Sequence, residues 1–96
     1  MTGSISADYK VPGGKLLRAT LTLNESLSPP RIATIALHGD YFMHPEDAID
    51  TLEAQLTGVP WSADALREAV QAFFDSGVEV LGADVAGIVH VILAAR

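Results

Sequence analysis

The sequence predicts an α+β fold: a small antiparallel sheet of two to three strands with about three helices packed on one of its faces. Two observations carry this expectation. Apolar residues alternate with polar ones over roughly the first 40 positions and then recur at helical spacing over the rest. Strands therefore precede helices, an order unlike the alternating strand and helix units of nucleotide-binding sheets.

In Leu17–Leu23 (LRATLTL), Leu17, Ala19, Leu21 and Leu23 fall on one side and Arg18, Thr20 and Thr22 on the other, the pattern of a half-buried strand. After the turn-forming stretch NESLSPP, residues 31–38 (RIATIALH) are again apolar and β-branched, with Ala33, Ile35 and Leu37 on one face. The two runs read as an antiparallel pair joined by a loop. Residues 5–11 are long enough for a third, edge strand, cut off by Pro12, Gly13 and Gly14. Pro45 suits a first helical turn, Glu46 and Asp47 suit the positive end of the helix dipole, and Ala48, Ile49, Leu52 and Leu56 make one stripe closed by Gly58. Ser62 is placed to cap a second helix, whose stripe is Leu66, Ala69, Val70, Phe73 and Phe74 and whose end is Gly77. A third begins at Asp84, with Val85, Ile88, Val89 and Ile92 inward. No repeat or linker divides the chain, so residues 1–96 are expected to be one domain. Trp61, between the first two helices, is expected to cover the edge of the core.

With 49% hydrophobic and 19% charged residues, the composition is that of a globular chain and not of a disordered one. The absence of cysteine excludes disulfides, thiolate metal sites and thiol nucleophiles. The first residues lack the basic start and apolar run of a secretory signal, and the apolar stretch in residues 85–95 is too short for a membrane span of about 20 residues. A soluble, cytoplasmic protein is the expectation, with no membrane partner. A net charge of −6 argues against nucleic acid as a partner. The charge is uneven, however. Residues 1–38 carry four basic groups (Lys10, Lys15, Arg18, Arg31) against two acids, and the remainder ten acids against two bases. Either the first part turns a basic face to something anionic, or six basic residues are too few for the asymmetry to carry meaning.

Two segments stand apart from scaffold. In Tyr9-Lys10-Val11-Pro12-Gly13-Gly14-Lys15-Leu16, paired glycines allow close backbone approach between two lysines. The spacing is not that of a phosphate-cradling loop, and Lys15 precedes a strand rather than a helix, so a tight turn with solvated lysines is the other reading. The second segment, His38-Gly39-Asp40-Tyr41-Phe42-Met43-His44-Pro45, joins the last strand to the first helix. Two histidines and an aspartate invite a metal reading. No third histidine and no H-E-x-x-H spacing accompany them, and His44 is readable as a helix cap, so no metal site is assigned. Tyr41, Phe42 and Met43 read as core and interface packing. No serine is set beside a base, no carboxylates are paired, and the acids fall at solvated helix positions; the chain alone is not expected to be an active enzyme.

Together, YKVPGGKLL, a strand pair, and GDYFMHPED entering the helix IDTLEAQLTGVP resemble the C-terminal accessory domain of lipoate–protein ligases over nearly the whole chain. Gly13, Gly14, Lys15, Gly39, Asp40, Phe42, His44, Pro45, Leu52, Leu56 and Gly58 fit the family pattern. Tyr41 stands where the pattern has phenylalanine. The resemblance implies an accessory part of a two-part, ATP-dependent ligase. That ligase activates lipoate to lipoyl adenylate and passes the lipoyl group to a lysine of a carrier domain. The Met1 start and the length imply the form that is a separate subunit, paired with a catalytic subunit. That partner would hold lipoate, ATP and Mg, none of them bound by this chain alone. Gly13, Gly14, Lys15, Gly39, Asp40, Tyr41, Phe42, His44 and Pro45 become the expected motif or partner-interface residues, with Lys15 a group that could assist adenylation. Whether the acyl group is lipoate, octanoate or biotin stays open. An interaction or scaffold module of similar shape, such as occurs in iron–sulfur assembly, is the alternative, and the lack of cysteine counts against that chemistry.

Overall fold

The computed structural model describes residues 3–13 and 15–96. β1 (Ile5–Lys10), β2 (Leu16–Asn24) and β3 (Arg31–Gly39) form an antiparallel sheet in the order β1-β2-β3, with β2 in the middle. The alternation in β2 holds throughout: Leu17, Ala19, Leu21 and Leu23 are buried, while Arg18 faces away with the polar residues. β1 is the expected edge strand, ending one residue earlier, at Lys10.

β3 departs from the expected face. Thr22 pairs with Thr34 but Leu23 pairs with Ile32, so Ala33 is the extra residue of a β-bulge. The slip turns Ile32 inward, at 1% exposure, and leaves Ala33 on the surface; Leu37 is buried as expected and Ile35 half-buried. Burying isoleucine in place of alanine removes more apolar area from water, which favours the bulged register.

A second sheet was not expected. β4 (Phe42–His44) pairs antiparallel with β5 (Glu79–Leu81), opposing Phe42 to Leu81, Met43 to Val80 and His44 to Glu79. Three-residue strands are too short for alternation to register, and these partners lie more than 30 residues apart. The segment after β3 is thus partly strand and not a plain connection.

α1 (Ala48–Leu56), α2 (Ala63–Phe74) and α3 (Val85–Ala94) fall where the apolar stripes place them. α1 starts three residues beyond Pro45, whose carbonyl accepts the Ala48 N–H at 2.9 Å. Its N-cap position is Asp47, and His44 does not cap it. Ser62 occupies the N-cap of α2, where its backbone carbonyl takes the Leu66 N–H but its hydroxyl bonds no helix N–H. Asp84 caps α3 with its side chain, accepting the Gly87 N–H at 2.6 Å. Gly58 and Gly77 follow α1 and α2 with positive φ.

α3 lies on β1 and β2, α1 on β3, and α2 packs against both helices. The helices therefore gather on one side of the three-stranded sheet, α1 and α3 directly on its face and α2 against both of them. The core between them holds Leu21, Ile32, Leu52, Leu56, Leu66, Val70, Phe73, Val91 and Ile92, each less than 2% exposed, and among the described residues no polar or charged side chain is buried with them. Trp61 sits at the core edge, its indole N–H donating to the Ile92 carbonyl at 3.1 Å.

The bulge separates two neighbouring substitutions. Ile32→Ala is expected to cost about 2–5 kcal/mol, as truncation of a fully buried side chain does, whereas Ala33→Thr should stay within about 0.5 kcal/mol as a surface change. Urea unfolding of both variants measures this; equal costs, or the reverse order, would mean that Ala33 and not Ile32 faces the core.

Candidate functional site

The loop between β1 and β2 is closed by the Val11 N–H, which donates to the Lys15 carbonyl at 2.7 Å, with Val11 buried beneath it. Gly13 has φ +103, and a Cβ there would meet nothing within 4 Å, so its backbone is open to approach. Lys15 is exposed directly ahead of β2, and Lys10 stands opposite Leu16 at the end of β1. Gly14 lies outside the described residues. The tight-turn reading and the close-approach reading therefore describe the same hairpin.

The second segment meets this hairpin. Gly39 ends β3 opposite Leu17, and the Asp40 N–H donates to the Leu16 carbonyl at 2.9 Å. A Cβ on Gly39 would run into that carbonyl oxygen and lie 3.1 Å from the Leu17 Cα, so no larger residue fits between the strands here. On its other side Asp40 is met by Gly82, just after β5: a Cβ there would sit 2.8 Å from the Asp40 carbonyl oxygen and 3.2 Å from the Tyr41 Cα, and its φ is +89. Three chain segments distant in sequence thus meet at one end of the sheet. Nothing in the sequence signals Gly82, because the residues it approaches lie far back in the chain.

Tyr41 and Glu53 hold the segment from the side. The Tyr41 hydroxyl donates to the Leu37 carbonyl at 2.5 Å, and the Leu37 N–H donates to the Glu53 carboxylate at 2.8 Å. Both backbone groups of Leu37 point away from β2, so two side chains satisfy the outer edge of β3 and block it from pairing with another strand. Burial, and after it the Glu53 charge, push the Tyr41 phenol above its ordinary pKa of 10.0. Tyr41 is therefore more than a stand-in for phenylalanine. Glu53, expected on a solvated helix face, is half-buried; its place one position beyond Leu52 in the apolar stripe was the available signal. Of the expected packing trio, Met43 is buried, Tyr41 half-buried, and Phe42 is 55% exposed.

Two cations of the basic half, Lys10 and Lys15, lie at this same end. Arg18 donates from Nε and Nη2 to the two Asp8 carboxylate oxygens at 2.6 and 3.1 Å, and this hydrogen bonding holds Asp8 below the usual carboxylate range. Arg31 donates to the Gly58 carbonyl. Among the described residues Lys10 and Lys15 are in no ion pair. His38 pairs with Arg18 across β2–β3, His44 pairs with Glu79 across β4–β5, and Pro45 leads away toward α1. No group of three or more His, Asp or Glu side chains with metal-binding geometry occurs among the described residues. A surface hollow of about 360 Å³, lined by Ile5, Leu23, Glu25, Trp61 and Arg96, lies at the opposite end of the sheet and shares no residue with the motifs.

No protein-family model matches the sequence. The chain is, however, 35% identical over 79 residues, 82% of its length and 77% of the relative's, to lipoate-protein ligase A subunit 2 of Thermoplasma acidophilum. The chain belongs to the lipoate–protein ligase family, among its small second subunits. Its fold agrees: at 30% identity and a TM-score of 0.71 it is similar to a chain from the archaeal lipoylation system of T. acidophilum, described as a bi-partite lipoate protein ligase and its E2 lipoyl domain, covering 96% of this chain and 94% of that one. Of the residues that fit the ligase pattern, Leu52 and Leu56 are fully buried and serve the core, whereas Gly13, Lys15, Gly39, Asp40 and Phe42 gather where the hairpin and the β3–β4 connection meet. No helix among the described residues is long and apolar enough to cross a membrane.

Two measurements test this geometry. Gly82→Ala is expected to destabilise the fold more than Gly77→Ala, since both have positive φ but only Gly82 is also crowded by backbone; thermal melts giving equal losses would deny the contact with Asp40. Tyr41→Phe tests the phenol. A folded pKa raised above 10.0 favours the neutral form, so its stabilisation is fully present below that pH and is lost as pH rises through the folded value. The melting temperature of the wild type should therefore fall more steeply above pH 10 than that of Tyr41→Phe, and parallel profiles would sever the hydroxyl from stability.

Proposed function

We propose that this chain is the accessory subunit of a two-part, ATP-dependent lipoate–protein ligase, working in the cytoplasm and required with the catalytic subunit for lipoate adenylation. Family membership supports the ligase assignment, and the meeting of the Lys15 hairpin with the Gly39–Asp40 segment supports the role within it. In the assembled ligase, lipoate oxygen attacks the α-phosphorus of ATP, pyrophosphate leaves, and lipoyl adenylate forms. A carrier-domain lysine then displaces AMP at the acyl carbon. ATP, Mg and lipoate are assigned in this reading to the assembled ligase and none of them to this chain alone. Catalytic subunit and lipoyl carrier domains are the partners of this reading, with no part for nucleic acid or membrane.

Adenylation concentrates negative charge on the departing phosphates, and cations in a site closed to water stabilise that charge best. Lys15 is an exposed cation on an open glycine turn, close to where Asp40 is held against Leu16. Docked on the catalytic subunit, this end of the sheet can bring a positive charge to the phosphates and exclude solvent.

The chain alone should catalyse no lipoate-dependent ATP–pyrophosphate exchange, and adding it to the catalytic subunit should raise that exchange; turnover without a partner would reject the accessory role. Lys15→Ala should slow adenylate formation by the complex, with a loss of about 3 kcal/mol if it acts like an oxyanion donor, and leave transfer from preformed adenylate nearly unchanged. A defect that disappears at saturating subunit would make Lys15 a docking residue, because mass action then restores the complex.

A further inference from the structure

We infer that the exposed face of the β4–β5 ribbon, anchored by the Phe42–Leu81 pair, is the surface through which this subunit docks on the catalytic subunit of its ligase. The inference rests on the proposed ligase function and adds to the motif residue Phe42 a contact from β5, a part of the chain that no motif covers.

Among the described residues, large apolar side chains exposed to water are few: Leu16, Leu27, Phe42 and Leu81. Phe42 and Leu81 are the most exposed, at 55% and 58%, and they oppose each other directly across the ribbon. Opposed residues on one face of an antiparallel pair hold their Cβ atoms about 5 Å apart, so the two make one apolar spot and not two scattered ones. The buried face of the same ribbon is supplied by Met43 and half-buried Val80, which leaves Phe42 and Leu81 without a structural duty in the core. Water-facing aromatic and leucine side chains raise the free energy of the isolated chain unless something covers them.

The occupant follows from continuity. Gly82, next to Leu81, lies against the Asp40 carbonyl, and Asp40 in turn bonds Leu16, at 42% exposure the third apolar side chain at this end. Lys15 immediately precedes Leu16, so a partner seated on the ribbon is carried against the lysine hairpin at the same time. Leu27, in the loop between β2 and β3, belongs to the opposite end of the sheet and is the internal control. A second copy of this chain would present the same two lysines to each other at the seam, which disfavours self-association through this surface.

The test measures binding of Leu81→Asp, Phe42→Asp and Leu27→Asp to the cognate catalytic subunit by calorimetry, with Trp61 fluorescence and thermal melts to check that each is folded. Adenylation by the wild-type pair is measured in parallel. Kd should rise about thirty-fold or more for Leu81→Asp and for Phe42→Asp, as for loss of an interface anchor, and change less than about three-fold for Leu27→Asp. Wild-type affinity in folded Leu81→Asp and Phe42→Asp, or an equal loss in Leu27→Asp, would overturn the ribbon as the docking surface while stimulation by the wild type keeps the ligase function. A wild-type chain that neither binds nor stimulates the catalytic subunit would remove both.

Discussion

The site depends on a backbone contact: the end of β3 lies so close to the start of β2 that only glycine fits at position 39, and the next peptide, at Asp40, hydrogen-bonds the Leu16 carbonyl. Ordinary strand pairing would end at Gly39. The added bond carries pairing one residue past it and ties the segment entering β4 to the hairpin that carries Lys15. Gly82 then lies against the following peptide, at the Asp40 carbonyl, so the direction in which β4 leaves is set at two successive peptides by main chain. Main-chain contacts suit this purpose because they constrain geometry without spending side chains, which remain free to face a partner.

The rest of the architecture keeps that junction in place. α1 contributes Glu53 to the Leu37 N–H, and Tyr41 returns to the carbonyl of the same residue, so the outer edge of β3 is closed just before the junction. At the other edge of the sheet Ser6 and Arg96 exchange backbone hydrogen bonds. The outer face of the sheet is polar, with Asp8 and Arg18 paired and the Thr22 and Thr34 hydroxyls hydrogen-bonded at 2.7 Å. Exposed on both members, that ion pair contributes little to stability, but it withdraws one cation from the surface. Arg31 donates to the Gly58 carbonyl and keeps its charge at the start of β3, so the cations at the junction are the lysines. The sheet is thus divided: one end offers charge and apolar groups, while its edges and open face discourage association.

Periodicity was legible wherever an element was long enough to express it. The buried positions of β2 and the stripes of all three helices follow directly from spacing, as does the order of the three long strands before the helices; β5, between α2 and α3, breaks that order. The motif residues were legible as a set only through their likeness to the ligase family; glycine, lysine and histidine spacing left a plain turn equally open. Ile32 and the β4–β5 ribbon were not legible, and Glu53 only from its place beside the apolar stripe of α1. A bulge costs one residue of register and moves Ile32 inward with no local mark in the sequence. Glu53 has the composition of a solvated helix position until β3 supplies a donor. Phe42 and Leu81 become a pair only when strands of three residues each find one another across two helices.

What the sequence by itself determined, then, is what neighbouring residues decide together: strand or helix, the inward face of each, the turns, the lack of thiol chemistry and the excess of acid over base. What only the tertiary structure decided is which distant groups touch. Gly39 against Leu16, Gly82 against Asp40, Tyr41 and Glu53 on the two sides of the Leu37 backbone, and Phe42 opposite Leu81 all arise from packing the core, since closing three helices over one sheet face fixes where loops from far along the chain arrive. Local propensity acts over a few residues and has no term for such encounters. Buried apolar area, summed over the whole chain, does.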